Sequence, residues 1–299
     1  MTTKISTILV PTDFSAKAKN ALTLAAKMAL RHNAKLIIMH AVHSQYVIDR
    51  GGKQMIGADT VQQNRDSAES HLQRLHESVR NEYAVDIETI LSAQNLVESV
   101  NEVIVTHGVD LVVVGTAGRQ SVKEFILGSN SYSMMLHAAA SVLLVPQDFQ
   151  KSTFKKILFP VRVENELHQK AELSLLLAEK NEGGINLLGV GDSNRVAAVR
   201  AAYIEMRKML MLKSAAYVSE FKLADDNANV IVETAENDDS DIIMLADQDE
   251  NSWKSFMGEN FFKKVINGTK VPLLIVKPKL IKDSDTPLTG YDLSLPVHG

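Results

Sequence analysis

Three short apolar runs occur twice in this chain, in the same order. Ile8-Leu9-Val10-Pro11 returns as Ile157-Leu158-Phe159-Pro160, and Asp110-Leu111-Val112-Val113-Val114-Gly115 returns as Asp241-Ile242-Ile243-Met244-Leu245-Ala246. Ser141-Val142-Leu143-Leu144-Val145 returns as Pro272-Leu273-Leu274-Ile275-Val276. None of these runs alternates apolar with polar residues. Each therefore suits a strand covered on both faces, as in a parallel sheet. Stretches with helical spacing lie between them. Ala18, Ala21, Leu22, Ala25 and Met28 share one face after Ser15, a helix-capping residue type, and Ala68, Leu72, Leu75 and Val79 do so further on.

Strands alternating with helices imply an α/β, doubly wound fold with right-handed crossovers. The repeat predicts two tandem domains, each a mainly parallel five-stranded sheet with helices on both faces. We expect one domain over 1–148, a second over 152–279 and a polar tail over 280–299. Within the first, strands are expected at 5–11, 35–42, 85–91, 110–115 and 141–146. Helices are expected at 16–31, 59–82, 95–106 and 129–138, and the polar stretch 43–58 reads as a loop.

Composition narrows the chemistry. The net charge is −4 and neither half is basic, which speaks against a nucleic-acid partner. There is no cysteine, so disulfides, thiolate zinc sites and cysteine nucleophiles are excluded. No window reaches the apolar length a membrane span needs, and the start lacks a signal-type segment; the expectation is a cytoplasmic protein with no membrane partner. The phosphate-loop pattern G-x-x-x-x-G-K-[ST], the G-x-S-x-G elbow and a G-x-G-x-x-G turn after the first strand are all missing. His40, His43, His71 and His76 lack helical metal-site spacing and read as structural or solvated. The methionines at 134, 135, 206, 209 and 211 read as core.

The segment that carries chemistry is Gly115-Thr116-Ala117-Gly118, then nine residues, then Gly128-Ser129-Asn130. It begins where a buried strand ends and finishes where a helix begins, the place where open α/β sheets bind ligands. Glycine lets backbone approach a ligand closely. N–H groups at Gly128, Ser129 and Asn130 would project from a helix N-terminus, which favours phosphate. The Ser129 hydroxyl and the Asn130 amide can add hydrogen bonds.

With this spacing, and with the opening Ile-Leu-Val-Pro-Thr-Asp-Phe-Ser at residues 8–15, the chain resembles the universal stress protein family. The resemblance covers 4–147 and, with fewer matches, 154–278. It implies a Rossmann-like, adenine nucleotide alpha hydrolase-like fold and a stress-response module that binds ATP, with Mg²⁺ accompanying the nucleotide. It also implies roles. Asp13 would contact the nucleoside, and Pro11 and Thr12 would shape that edge of the pocket. Val42 would lie against adenine or meet its edge through the backbone. Gly115, Thr116, Gly118, Arg119, Gly128, Ser129 and Asn130 would hold ribose and phosphates. No catalytic base beside a nucleophile is evident, and neither H-x-G-H nor S-G-G-x-D-S occurs. A slow ATPase, an adenylyl-transferring enzyme and a scaffold binding no nucleotide stay open as alternatives.

The second copy departs from the pattern. Asp13 aligns with Arg162, Gly115 with Ala246 and Gly118 with Asp249. Its loop carries Asp247, Asp249 and Glu250, which would repel a polyphosphate or, in another reading, hold a cation. Gly258 falls near the third glycine but precedes Glu259. The expectation is a degenerate domain that binds no nucleotide. Family members pair through their last strands, so the tandem chain is expected to form that pair internally, with a further homodimer left open.

Overall fold

The computed structural model describes residues 3–42, 46–49, 52–55, 58–117, 128–162, 167–213, 215–247 and 261–278. The first half runs β1 (Thr7–Pro11), α1 (Ala16–His32), β2 (Lys35–Ala41), β3 (Tyr46–Asp49), β4 (Gly52–Met55) and α2 (Ala58–Glu82). It continues with β5 (Ile87–Ser92), α3 (Leu96–His107), β6 (Leu111–Thr116), α4 (Ser129–His137) and β7 (Ser141–Pro146). The second half follows with β8 (Lys156–Val161), α5 (Leu167–Asn181), β9 (Gly184–Gly191), α6 (Val196–Leu212) and β10 (Tyr217–Leu223). It ends with α7 (Asn227–Asn237), β11 (Ile242–Ala246), α8 (Phe261–Gly268) and β12 (Leu273–Val276).

Local chemistry sets the helix ends. The Ser15 hydroxyl accepts from the Ala18 N–H at the start of α1. Asn33 closes that helix in the left-handed region at φ 51°, its N–H reaching the Ala29 and Leu30 carbonyls. Asn95 caps α3 in the same way, and Gly108 ends it at φ 63°. These are the side chains and backbone angles that helix termini favour.

The halves are topological copies. The strand order is β5-β2-β1-β6-β7 in the first and β10-β9-β8-β11-β12 in the second, every neighbour within a half parallel. They meet at β7 and β12, which pair antiparallel with Leu144 opposite Leu273, Leu143 opposite Leu274 and Val142 opposite Ile275. One ten-stranded sheet results. Two apolar layers cover its faces, and each draws residues from both halves: Ala25, Leu143, Phe154 and Leu177 in one, Met134, Val142, Phe262 and Ile275 in the other.

The stretch expected to be a loop over 43–58 holds a hairpin instead, Tyr46–Asp49 against Gly52–Met55 in a separate two-stranded sheet. The hairpin stands apart from the main sheet, with Asp49 paired opposite Gly52. Of the methionines expected in the core, 134, 135 and 206 are fully buried, whereas Met211 is exposed at the end of α6. No helix among the described residues is long and apolar enough to cross a membrane. The expected tail, 280–299, lies outside the described residues.

Candidate functional site

In the first half the connections leave β1 and β6 in opposite directions, toward β2 and toward β7. Such a switch point opens a crevice at the carboxyl ends of the strands. A cleft of about 400 Å³ lies there, walled by the ends of β1, β2 and β6, the starts of α1 and α4, and one face of α2. A larger cleft of about 820 Å³ borders the opposite, amino ends of β8, β9 and β10. Ligands of open α/β sheets bind at carboxyl ends, so the smaller cleft is the candidate site.

Pro11, Thr12, Asp13, Val42, Gly115 and Asn130 line it together. Thr12 is a junction. Its N–H donates to the Met39 carbonyl at 2.8 Å, its hydroxyl accepts from the Phe14 N–H at 3.0 Å, and its carbonyl faces His40 Nδ1 at 2.7 Å. That turn holds Phe14 at φ 62°, a strained value for a bulky residue. The Phe14 ring is thereby placed 4.5 Å from the His40 ring and 5.0 Å from the His71 ring, centroid to centroid. The Phe14 ring is tilted 33° to His40 and 34° to His71, and the three rings form one wall.

Asp13 is half exposed. Its Oδ1 accepts from the Ser15 N–H at 3.1 Å and from the Ser15 hydroxyl, and its Oδ2 lies 3.6 Å from Lys17 Nζ. Burial pushes the carboxyl up, but the Ser15 donors and the Lys17 ammonium outweigh it and hold the group below its ordinary value. In this structure Asp13 organises the start of α1 and restrains Lys17. The Lys17 ammonium also reaches Gly128: a Cβ there would meet Nζ at 3.8 Å and no nearer group.

Gly128 is the N-cap of α4 and offers no side-chain hydrogen bond to the first turn. The Ser131 hydroxyl donates to the Gly115 carbonyl at 3.0 Å, fastening that turn to the end of β6. The cleft thus ends at an ammonium and a helix N-terminus, a combination that attracts anions.

The remaining expected residues fall elsewhere. Thr116 is buried and lies away from the cleft. Ser129 is exposed at the first position of α4, outside the lining. Gly118 and Arg119 lie outside the described residues. Val42 donates its N–H to the Ser92 carbonyl at 2.8 Å, so any backbone contact to an occupant falls to its carbonyl. Gly115 serves helix packing: a Cβ would stand 2.3 Å from the Lys17 carbonyl oxygen, so its bareness admits the start of α1 rather than a ligand.

Among the lining groups that the sequence did not point to, Phe14, Lys17, His40 and His71 matter most. His40 and His71 were expected to be structural or solvated. A signal for the α2 wall does exist, because Asn64, Ser67, Ala68 and His71 fall at i, i+3, i+4 and i+7. Lys17 had none, since its value depends on where α4 begins.

Among the described residues, the corresponding region of the second half carries bulkier groups. In the register that sets Asp110 against Asp241, Phe261 and Phe262 take the places of Asn130 and Ser131. Phe262 is fully buried, and the Arg162 guanidinium lies 3.8 Å from the Phe261 ring centre. Asp247 lies 3.9 Å from Lys277 Nζ. Asp249, Glu250, Gly258 and Glu259 lie outside the described residues.

A doubly wound sheet with a crevice at its switch point, closed by a helix N-terminus, defines a Rossmann-like α/β domain. The sequence model of the Universal stress protein family matches residues 4–146. A putative universal stress protein of Staphylococcus haemolyticus is 30% identical over 149 residues, covering 48% of this chain and 88% of that protein. One from Staphylococcus aureus strain USA300 is 31% identical over 150 residues, with the same coverage. Among solved structures, a universal stress protein from Archaeoglobus fulgidus DSM 4304 superposes with a TM-score of 0.72 at 15% identity, over 91% of this chain and 98% of that one. A putative universal stress protein from Pseudomonas aeruginosa UCBPP-PA14 gives 0.60 at 16% identity, over 92% and 94%. The chain belongs to the universal stress protein family, and it shares its fold with these longer members over nearly its whole length.

Proposed function

We propose that the first domain, 1–148, binds one ATP in the cleft and that the second, 152–279, is a partner that binds none, the pair forming an internal pseudo-dimer. The observation that carries the reading is the convergence of Lys17 Nζ and the uncapped first turn of α4 beside Gly128, at one end of a cleft whose other walls include three rings and the apolar side chains of Val42, Leu96 and Met134. A base and ribose fit among Phe14, His40, His71 and Val42. The phosphates extend toward Lys17, Gly128 and Asn130. A volume of about 400 Å³ falls within the range of small-molecule sites. Occupancy would be reported to other proteins through the outer surfaces, as suits a stress-response module.

The residues present do not fit a protein-held magnesium ion. Asp13 is the one carboxylate lining the cleft among the described residues, and Ser15 and Lys17 engage its two oxygens.

Two measurements test the reading. Denatured protein should release adenine nucleotide detectable by absorbance and chromatography. In titrations, Lys17→Ala should weaken ATP about tenfold, the scale of one charge-assisted contact, and adenosine much less. Gly118→Glu should weaken ATP further. Unchanged ATP affinity in both variants would remove the site.

A further inference from the structure

The two ends of the ten-stranded sheet are not alike. At one end β5 is flanked by the 25-residue α2, and all six of its residues are half-buried. At the other, the equivalent helix α6 has 17 residues and leaves β10 less covered. Val218 and Leu223 of β10 are each 66% exposed, and Met211 and Leu212 at the end of α6 are 61% and 80% exposed. The α7-side face is open as well, since Val218 and Glu220 line the cleft of about 820 Å³. Along one side β10 pairs with β9 in parallel through all seven residues, and no other described strand lies on its outer side. A partly exposed edge strand of this length, with no described strand on its outer side, is a template for another strand.

Its charges indicate which strand. Glu220 and Lys222 stand two residues apart on one face, paired with each other at 3.0 Å and each about 40% exposed. We infer that this edge binds a second copy of the chain, β10 against β10 in antiparallel register with Phe221 on the two-fold axis. In that register Glu220 of each copy lies directly opposite Lys222 of the other, so two cross-strand ion pairs form, while each Phe221 ring stays over Gly189 of its own β9 and against Tyr203. Registers centred one residue either way set Lys222 opposite Val218 or Glu220 opposite Ala224, and lose both pairs. The contact is isologous and closes at two copies, extending the sheet to twenty strands. It is independent of the nucleotide reading and of the β7–β12 seam.

Charge exchange tests it. In sedimentation velocity from micromolar to submillimolar concentration, the full chain should dimerise. Lys222→Glu and Glu220→Lys each place like charges opposite one another twice, and each should raise the dimer dissociation constant about tenfold or more. Circular dichroism checks that both variants remain folded. An equimolar mixture of the two restores opposite charges at both positions and should recover the dimer, which a folding defect would not do. A wild type that stays monomeric overturns the inference, as do variants that dimerise unchanged, a mixture that fails to recover, or assembly that grows past two copies. A monomeric wild type that dimerises only when shortened to end at Pro278 also overturns it, and assigns the edge to the chain's own last residues.

Discussion

A methyl group on Gly115 would meet the Lys17 carbonyl oxygen at 2.3 Å. That distance separates two uses of glycine that look the same in a sequence. The spaced pattern suggested room for a ligand, yet at this position the room is taken by α1. Gly115→Ala should therefore force the start of α1 outward, cost about 1–3 kcal/mol of stability and misplace Lys17, so that thermal melting and ATP affinity fall together. At Gly128, among the described residues, a Cβ would meet Lys17 Nζ at 3.8 Å and no closer group. His32 presents a different residue-scale effect. Burial first, then the neighbouring Arg31 and Lys180 charges, lower its pKa to about 4. Between the ordinary value near 6.5 and this one, the unfolded chain holds the extra proton. Stability should therefore fall as pH drops from about 6.5 to about 4. Denaturant midpoints measured across that window should show the slope in the wild type and a shallower one in His32→Leu. Neither effect was legible in sequence, because both depend on which residues from other elements stand nearby.

Among the elements, α4 joins features that are far apart in the chain. Its N-terminus closes the candidate site, while its C-terminal carbonyls at Leu136 and Ala138 accept from Lys277 Nζ at 3.0 and 2.9 Å. Lys277 follows β12 of the second half, and its side chain is 7% exposed. Burial lowers its pKa, and burial likewise raises that of Asp247 at 3.9 Å. A cation at a helix C-terminus is favourable, and here it comes from the other half. Lys277→Met would leave two buried carbonyls without that donor and Asp247 without its cation. Stability should drop by about 2–4 kcal/mol, read as a lower denaturant midpoint. The helices and main strands of the first half were legible from periodicity and caps to within a few residues. The hairpin Tyr46–Asp49 with Gly52–Met55 was not, because it packs outside the sheet whose apolar pattern guided the reading.

For the whole molecule, the seam between β7 and β12 makes one folding unit of two copies. Leu143 and Leu274 face each other across it, and both apolar layers run through it without interruption. The chain should unfold in a single transition by calorimetry and by tyrosine fluorescence alike. Leu274→Ala should lower that transition by about 2–5 kcal/mol without splitting it. Two separate transitions would mean that the halves are energetically independent.

The amino-acid sequence by itself determined the duplicated doubly wound fold. Apolar runs without alternation permit little else, and their order is repeated. It also determined the loss of the glycine pattern from the second copy, since Arg162 and Ala246 are read directly. Only the tertiary structure decided what stands beside that altered loop: Phe261 against the Arg162 guanidinium, and Phe262 in the core. It alone brought Phe14, Lys17, His40 and His71 to the first cleft, and Lys277 to the end of α4. The physical reason is common to all of them. Periodicity records which face of an element is buried, whereas a site is made where faces of elements distant in the chain converge.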